Sequence, residues 1–311
     1  MFYGVITDVI SLDVPKGRYV VAVSGGVDSI AMLDMLCKLP EREFIVAHVH
    51  HGIRDDAVED QNLVRRVAMS HNLVFETIEL NLGAGASEAL ARARRYDFLR
   101  HVQEKYVAQA VITAHHRDDL IETAIINMMR GTGWRGLSSL RSRPGLLRPL
   151  LHVPKCELVE HARLQELAWR EDSTNRDESY ARNFVRHSIV PQLSSSTLEK
   201  LYQNIVRQNE LTEYIEDEIA MWLDKHALSH SPVTALPRYQ FSMLPGNVAH
   251  ELLQEVLRRK TGKSVPRPLA DQALLFCKVA KPHKIFVIDQ SWQLRARMDQ
   301  VIVEQRPTVV S

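Results

Sequence analysis

The chain has 311 residues, 45% hydrophobic and 25% charged, ordinary globular proportions that exclude a disordered or collagen-like chain and suit about two domains. Its 39 basic and 38 acidic side chains nearly cancel, so net charge alone points to no polyanionic partner. No run approaches the ~18 apolar residues of a membrane helix, and Met1–Pro15 has neither the basic flank nor the apolar core of a signal peptide.

The predicted elements alternate. Arg18–Ser24 (RYVVAVS) is a β-branched strand ending in Gly25-Gly26, and Ile30–Leu39 has helical spacing. Phe44–His51 is a second strand, followed by a polar helix from Asp55 to His71 and a third strand, Leu73–Leu80. After Gly83-Ala84-Gly85 a helix runs from Ser87 to Tyr106, then a fourth strand, Ala110–His116, and a helix, Asp118–Met129. Strands of this length alternating with helices predict an α/β, doubly wound parallel sheet. Gly131–Leu151 reads as a glycine- and proline-rich loop, with a helix resuming at Lys155–Ala168. A long helical pattern spans Thr197 to Leu228, and Ser229–Pro237 (SHSPVTALP) has linker composition. Helices at Val248–Lys260 and Pro268–Ala280 and strands at Lys284–Ile288 and Leu294–Met298 predict a second, smaller α+β domain. The expected division is a catalytic domain over 1–195, a linking helix region over 196–228 and a basic domain over 229–311. Charge follows it: residues 1–225 hold 27 basic and 32 acidic groups, residues 226–311 hold 12 and 6. Such polarity suits a polyanion at the basic part, although a merely solvated basic face fits the charge equally well.

Val23-Ser24-Gly25-Gly26-Val27-Asp28-Ser29 joins the first strand to its helix. Glycines there let main-chain N–H groups approach a ligand, the helix start adds positive potential, and Ser24 and Ser29 add hydroxyl donors. The loop reads as an oxyanion cradle for phosphate. It is no Walker A loop, because GxxxxGK[ST] is absent, and Gly131-x-Gly133-x-x-Gly136 follows a helix rather than a strand, against a dinucleotide fingerprint. Arg92 and Arg95 lie three apart and share a helix face, an anion-pairing or merely exposed pair. His116, Asp119 and Glu122 repeat at the same spacing where a strand meets a helix, the ligand-binding end of a doubly wound sheet; a helix cap and a hydrogen-bonded histidine are the plain alternative. His48, His50, His51, His115 and His116 raise a zinc site, but neighbours on a strand point to opposite faces and HExxH is missing. His48 suits the nucleotide better. Arg130, Arg135, Arg141, Arg143 and Arg148 sit in a loop free of acids, and Arg258, Arg259 and Lys260 in the tail; both sets suit RNA phosphates or simple solubility.

SGGVDS resembles the pyrophosphate loop of ATP pyrophosphatases, which split ATP between its α and β phosphates. Further segments narrow the likeness: His48-Val49-His50-His51-Gly52-Ile53-Arg54, Glu88-x-x-Ala91-Arg92-x-x-Arg95-Tyr96, Thr113-Ala114-His115-His116-x-Asp118-Asp119-x-x-Glu122-Thr123, Arg130-Gly131-x-Gly133-x-x-Gly136-Leu137, Arg148-Pro149-Leu150-Leu151, Glu171-Asp172-Ser173-Thr174-Asn175 and Arg182-Asn183-Phe184-x-Arg186. In this order, from Arg18 to Pro191 and more loosely over Leu244–Val303, they resemble the tRNA(Ile)-lysidine synthetases, in the form with a single C-terminal domain.

The resemblance implies a ligase. ATP adenylates C2 of the wobble cytidine in tRNA(Ile) with a CAU anticodon, and free L-lysine displaces AMP. ATP would lie on Ser24, Gly25, Gly26, Val27, Asp28, Ser29, His48 and Arg92, with Mg²⁺ on Asp28 and Asp119. Chemistry would fall to His116, Asp119, Glu122 and Arg95, with His116 or Asp119 as base and Asp119 and Glu122 as candidates for lysine's amines. The tRNA would meet Arg130, Arg135, Arg141, Arg143, Arg148, Arg182, Arg186, Arg258, Arg259 and Lys260. A cytoplasmic enzyme, free of membrane and able to dimerise, is expected. Two other readings stay open: a related adenylating enzyme such as a tRNA thiolase, and a non-catalytic RNA-binding protein. Cys37, Cys156 and Cys277 form no CxxC and sit in none of these motifs, against sulfur transfer.

Overall fold

The computed structural model describes residues 14–50, 57–80, 88–170, 181–226, 228–230, 233–262 and 265–307. The chain divides into two units, Met1–Asn209 and Glu210–Ser311.

In the first unit, β1 (Gly17–Ala22), β2 (Arg42–His50), β3 (Val74–Glu79), β4 (Ala110–Thr113) and the two-residue β5 (Leu146–Leu147) form one sheet, in the order β3-β2-β1-β4-β5. All its pairs are parallel. The α/β parallel sheet expected from the alternation is what forms. Between the strands run α1 (Val27–Cys37), α2 (Ala57–Ser70), α3 (Glu88–Lys105) and α4 (Arg117–Met129). Burial on both faces explains the unbroken apolar strands. Val21, Val46 and Ile112 face one way, onto Ile30, Leu33 and Leu36 of α1 and Leu158 and Ala162 of α6 (Lys155–Leu164). Their neighbours Val20, Ile45 and Val111 face the other way, onto Phe98, Leu99 and Val102 of α3. Each side chain of this size contributes about 1.5–3 kcal/mol by leaving water.

The predicted loop 131–151 holds a four-residue helix, α5 (Trp134–Leu137), besides β5. The helix predicted to reach Ala168 stops at Leu164, and Glu166 takes a left-handed φ of 51°. Beyond the undescribed 171–180, α7 (Ala181–Phe184) passes into a π-helical turn (Val185–Ile189) and a 3₁₀ turn (Val190–Gln192). Val185 there packs with Leu120, Ile121 and Ala124 of α4, and with Tyr202 and Ile205 of α8 (Ser195–His226). The unit boundary falls inside α8.

The second unit has an antiparallel sheet ordered β6-β7-β10-β9-β8, from β6 (Leu228–His230), β7 (Val233–Pro237), β8 (Ile285–Val287), β9 (Trp292–Ala296) and β10 (Gln300–Gln305). Three helices accompany it: α9 (Arg238–Met243), α10 (Gly246–Thr261) and α11 (Arg267–Val279). Its core gathers Leu236, Leu252, Leu253, Val256, Ala273, Leu294, Val301 and Val303. Two expectations give way here. The residues read as a linker supply β6 and β7, and β10 was not foreseen. Leu236 opposite Val301 and Thr234 opposite Val303 show the cause: cross-strand partners 65 or more positions away, invisible to local composition, make Val233–Pro237 a strand.

In the first sheet β2 lies on one side of β1 and β4 on the other. The connections leaving β1 and β4 therefore diverge, opening a crevice at their C-terminal ends. The loop after β1 and the start of α4 both lie at that end.

Candidate active site

Ser24–Ser29 closes on itself through one hydroxyl. Ser29 Oγ accepts the amides of Ser24 at 3.2 Å and Gly25 at 3.3 Å, donates to the Gly26 carbonyl at 2.9 Å and lies 3.2 Å from Ser24 Oγ. Gly25 has φ +96°, open to glycine and strained for other residues. Gly26 caps α1 with extended backbone and no side chain in the way. The loop is braced from below and from the side. His48, 3% exposed on β2, has Nδ1 2.8 Å from the Val23 carbonyl, and the Arg170 amide donates to the Gly25 carbonyl at 3.0 Å. Arg170 is in turn ion-paired with Glu59 and with Asp60 of α2, the latter at 2.7 Å. His48 thus supports the loop from beneath.

Across the crevice stands His116, 1% exposed. Its Nε2 is 3.6 Å from Asp28 Oδ2 and 3.4 Å from Asp119 Oδ2, and its Nδ1 is 3.6 Å from Asp118. Burial disfavours the imidazolium, but Asp118, Asp28 and Asp119 outweigh it and push the pKa up to about 9. The three carboxylates thus favour the imidazolium form of His116. Asp119 Oδ2 also accepts the His116 amide at 3.1 Å, so the carboxylate that caps α4 is the one facing the crevice. Asp118 turns elsewhere: it accepts the Lys155 amide at 2.9 Å and caps α6, and burial, opposed by His116 and that amide, leaves its pKa at about 2.

Glu122 is 3% exposed and gripped in a fork by Arg186, Nε to Oε1 at 2.6 Å and a terminal nitrogen to Oε2 at 2.9 Å. Arg186 also reaches within 3.6 Å of Asp119, and Arg182 within 3.6 Å of Glu122 while donating to Thr123 at 2.9 Å. Both arginines, expected among tRNA contacts, are committed to the site's own carboxylates.

Asp28 Oδ1 is buried without a hydrogen-bond partner, while Oδ2 lies 3.6 Å from Lys155 Nζ. Burial would raise its pKa, but His116 and Lys155 hold it below the usual carboxylate range. Asp28 is an anion with an unused lone pair at the crevice, a fit for a cation. Among the described residues no group of three or more His, Cys, Asp or Glu is placed to hold a metal ion. Magnesium bridging phosphates needs only one or two carboxylates from the protein.

Arg92 and Arg95 stack on Tyr96, 5.1 and 5.4 Å from its ring centroid. The loop arginines divide. Arg130 and Arg143 are exposed, Arg135 lies over the Trp134 ring at 4.6 Å, and Arg141 is half-buried. Arg148 is 4% exposed and donates to the Arg141 carbonyl, so it offers no surface contact to a stem. In the second unit Arg258 and Arg259 bind the 4%-exposed Glu255, at 2.7 and 2.9 Å. Their partner lies three and four residues back on the same helix; with acids counted as charge and not as position, the spacing was overlooked. Lys260 is half-buried. The motif residues His51, Gly52, Ile53 and Arg54, and Glu171 to Asn175, lie outside the described residues. Lys155 and Arg170 were missed by sequence reasoning, having no motif spacing; Tyr96 could have been found from arginines one and four positions before it.

The PP-loop domain family matches residues 5–193. The chain is 32% identical over 225 residues to the tRNA(Ile)-lysidine synthase of Thermotoga maritima, covering 68% of this chain and 54% of that one. Against the tRNA(Ile)-lysidine synthase of Enterococcus faecalis it is 30% identical over 321 residues, covering 94% of this chain and 67% of the other. It belongs to the tRNA(Ile)-lysidine synthase family of PP-loop proteins. The chain spans about half the length of several curated relatives it matches, 54% in Thermotoga maritima and 41% in Nitrosomonas europaea. Among solved structures, the U34-tRNA thiolase NcsA of Methanococcus maripaludis with its [4Fe-4S] cluster superposes with a TM-score of 0.55 over 67% of this chain and 79% of that one, at 16% identity. That likeness supports the PP-loop fold and nothing finer. Among the described residues no helix is long and apolar enough to cross a membrane.

Proposed function

We propose that the chain is a tRNA-modifying ligase that uses ATP to join free lysine to C2 of the wobble cytidine of tRNA(Ile) with a CAU anticodon. The observation that carries this reading is the meeting, in one crevice, of the Ser24–Ser29 loop with Asp28, His116, Asp119 and Glu122. The cytidine's C2 oxygen attacks the α-phosphorus of ATP and pyrophosphate leaves. Amides and hydroxyls of the loop meet the growing negative charge on the departing phosphates. Lysine's ε-nitrogen then attacks C2, AMP leaves, and one proton must go from the amine to the protein. Lysine's amine ordinarily holds that proton to a pKa of ~10.4, so an acceptor is needed. His116 and Asp119 are the groups placed to take that proton, and Glu122, held by Arg186, is placed to face lysine's ammonium. Magnesium would sit on Asp28 through its free Oδ1, with Asp119 beside it, and would neutralise phosphate charge. Arg92 and Arg95 supply further cations, and exposed Arg130 and Arg143 suit RNA phosphates.

A thiolase reading finds no support in two of the three cysteines, and the third, Cys156, is exposed on α6 with no second cysteine beside it in the sequence. Burial pushes the Cys37 thiol up to about 11 and Cys277, in the second unit, to about 12, far from a reactive thiolate. The decisive experiment incubates the chain with ATP, radiolabelled lysine and a CAU-anticodon tRNA. Label in the RNA with stoichiometric AMP is expected; ADP in place of AMP, or sulfur in place of lysine, overturns the reading.

A further inference from the structure

Three buried donors from Arg95, Tyr96 and Arg148 meet in the first unit, and the proposed function gives Arg95 only a general role as a cation and Tyr96 none. Arg95 Nε and Arg148 Nε are shielded from solvent and make no hydrogen bond, and the buried Tyr96 hydroxyl has only the Arg148 guanidinium beside it, without a well-formed bond. Buried polar groups are nearly always paired, so the unpaired nitrogens of two arginines beside one phenol call for an explanation. They come from distant parts of the sequence: Arg95 and Tyr96 from α3, Arg148 from the segment after β5. The place is held rigid. Arg148 is fixed by its bond to the Arg141 carbonyl and by its amide's 2.9 Å bond to Ser142 Oγ, while Arg92 and Arg95 both lie against the Tyr96 ring.

The charges there share one sign. Burial favours the neutral phenol, but Arg92, Arg95 and Arg148 together lower the Tyr96 pKa. His115, next to the imidazolium of His116, is kept neutral by burial and by the fields of Arg148, Arg95, Arg182 and Arg92. Among the described residues no carboxylate lies within ion-pair distance of Arg92, Arg95 or Arg148. Half-buried Arg95 and Tyr96 beside the buried Arg148, with shielded donors left over and no carboxylate between them, match an anion with two or three oxygens. Arg182 joins this place to the crevice, since it acts on His115 and lies 3.6 Å from Glu122.

We propose that Arg95, Tyr96 and Arg148 form an oxyanion pocket that binds a carboxylate or phosphate group of a substrate beside the site of transfer. The pocket stands on the geometry; the sources of the oxyanion, namely lysine's α-carboxylate, the nucleotide or an RNA phosphodiester, rest on the proposed function. Arg148 is then a binding residue of the interior and not a surface contact.

Tyr96→Phe removes only the hydroxyl and Arg148→Met only the fork. Binding of L-lysine, AMP, a CAU anticodon stem-loop and inorganic phosphate is measured on the full chain and both variants. Both variants should weaken the same one of the three substrates, roughly tenfold or more, and leave the other two within about twofold. Arg148→Lys should recover part of the loss. If lysine is the affected ligand, its decarboxylated analogue cadaverine should bind all forms alike. Inorganic phosphate should lose one equivalent of binding in both variants whatever the enzyme's substrate. That separates the two ideas: an unaltered chain that binds neither lysine nor RNA sinks the function, and phosphate stoichiometry still judges the pocket. Unchanged binding of all four probes in Tyr96→Phe, the variant least able to disturb folding, overturns the pocket.

Discussion

Glu122 shows how a single residue can be read from sequence by position and not by partner. Its spacing from His116 and Asp119 is a local property, and the structure places all three at one crevice. Its fork with Arg186, 64 positions away, is not local. Arg186 sits on a π-helical turn, a departure from regular winding that often marks functional sites and that no periodicity announces. Arg186→Met should leave a charge stranded at a 3%-exposed position and cost about 3–5 kcal/mol in urea unfolding. Glu122→Gln/Arg186→Met together should cost less than the sum of the single changes, which a double-mutant cycle would read. Gly25→Ala tests a second residue. A new Cβ would meet Val64 at 3.6 Å, ordinary contact, so the penalty is the φ of +96° alone. A loss of about 1–2 kcal/mol is expected, with ATP turnover lost more sharply than folding as the amides swing off target.

Between elements, the helices are held together by charge as much as by apolar contact. Asp34 of α1 accepts from Lys38 at 2.7 Å and lies 2.7 Å from His161 of α6. Burial would raise the Asp34 pKa, but Lys38 and His161 prevail and hold it below the ordinary value. A carboxylate lowered in the folded state stabilises fully above its unfolded pKa of ~3.9, and that contribution fades as pH falls through the folded value. Asp34→Asn should therefore be less stable than the unaltered chain by about 1–3 kcal/mol near neutrality, with the gap closing below about pH 4 in thermal unfolding. The strand–helix alternation of this unit was legible because strands buried on both faces show as apolar runs. β10 and β7 were not, since each owes its conformation to the other across the second sheet.

At the scale of the whole molecule, the excess of basic over acidic groups beyond residue 225 is a property of composition, and the structure redistributes its meaning. Arg258 and Arg259 neutralise Glu255, so Arg258→Ala with Arg259→Ala should lower the stability of the second unit by leaving that carboxylate uncompensated. Lys281 and Lys284 are exposed and carry no such duty. If this face meets tRNA, Lys281→Ala with Lys284→Ala should flatten the slope of log affinity against log salt by about 1.4–1.8, with folding unchanged in circular dichroism. An unmoved slope removes these lysines from the interface. The domain charge was readable from sequence, and so was the spacing of Glu255 from Arg258 and Arg259; the burial that makes Glu255 hold them was not.

The hydroxyl of Ser29 already occupies the nest that the first strand and its helix build. The two amides thus have an acceptor within the loop itself and stay aimed at one point. An anion entering the nest would have to displace a neutral oxygen at contacts of 3.2 and 3.3 Å, and a charged acceptor makes the stronger hydrogen bond. The serine thus keeps the seat in shape from within.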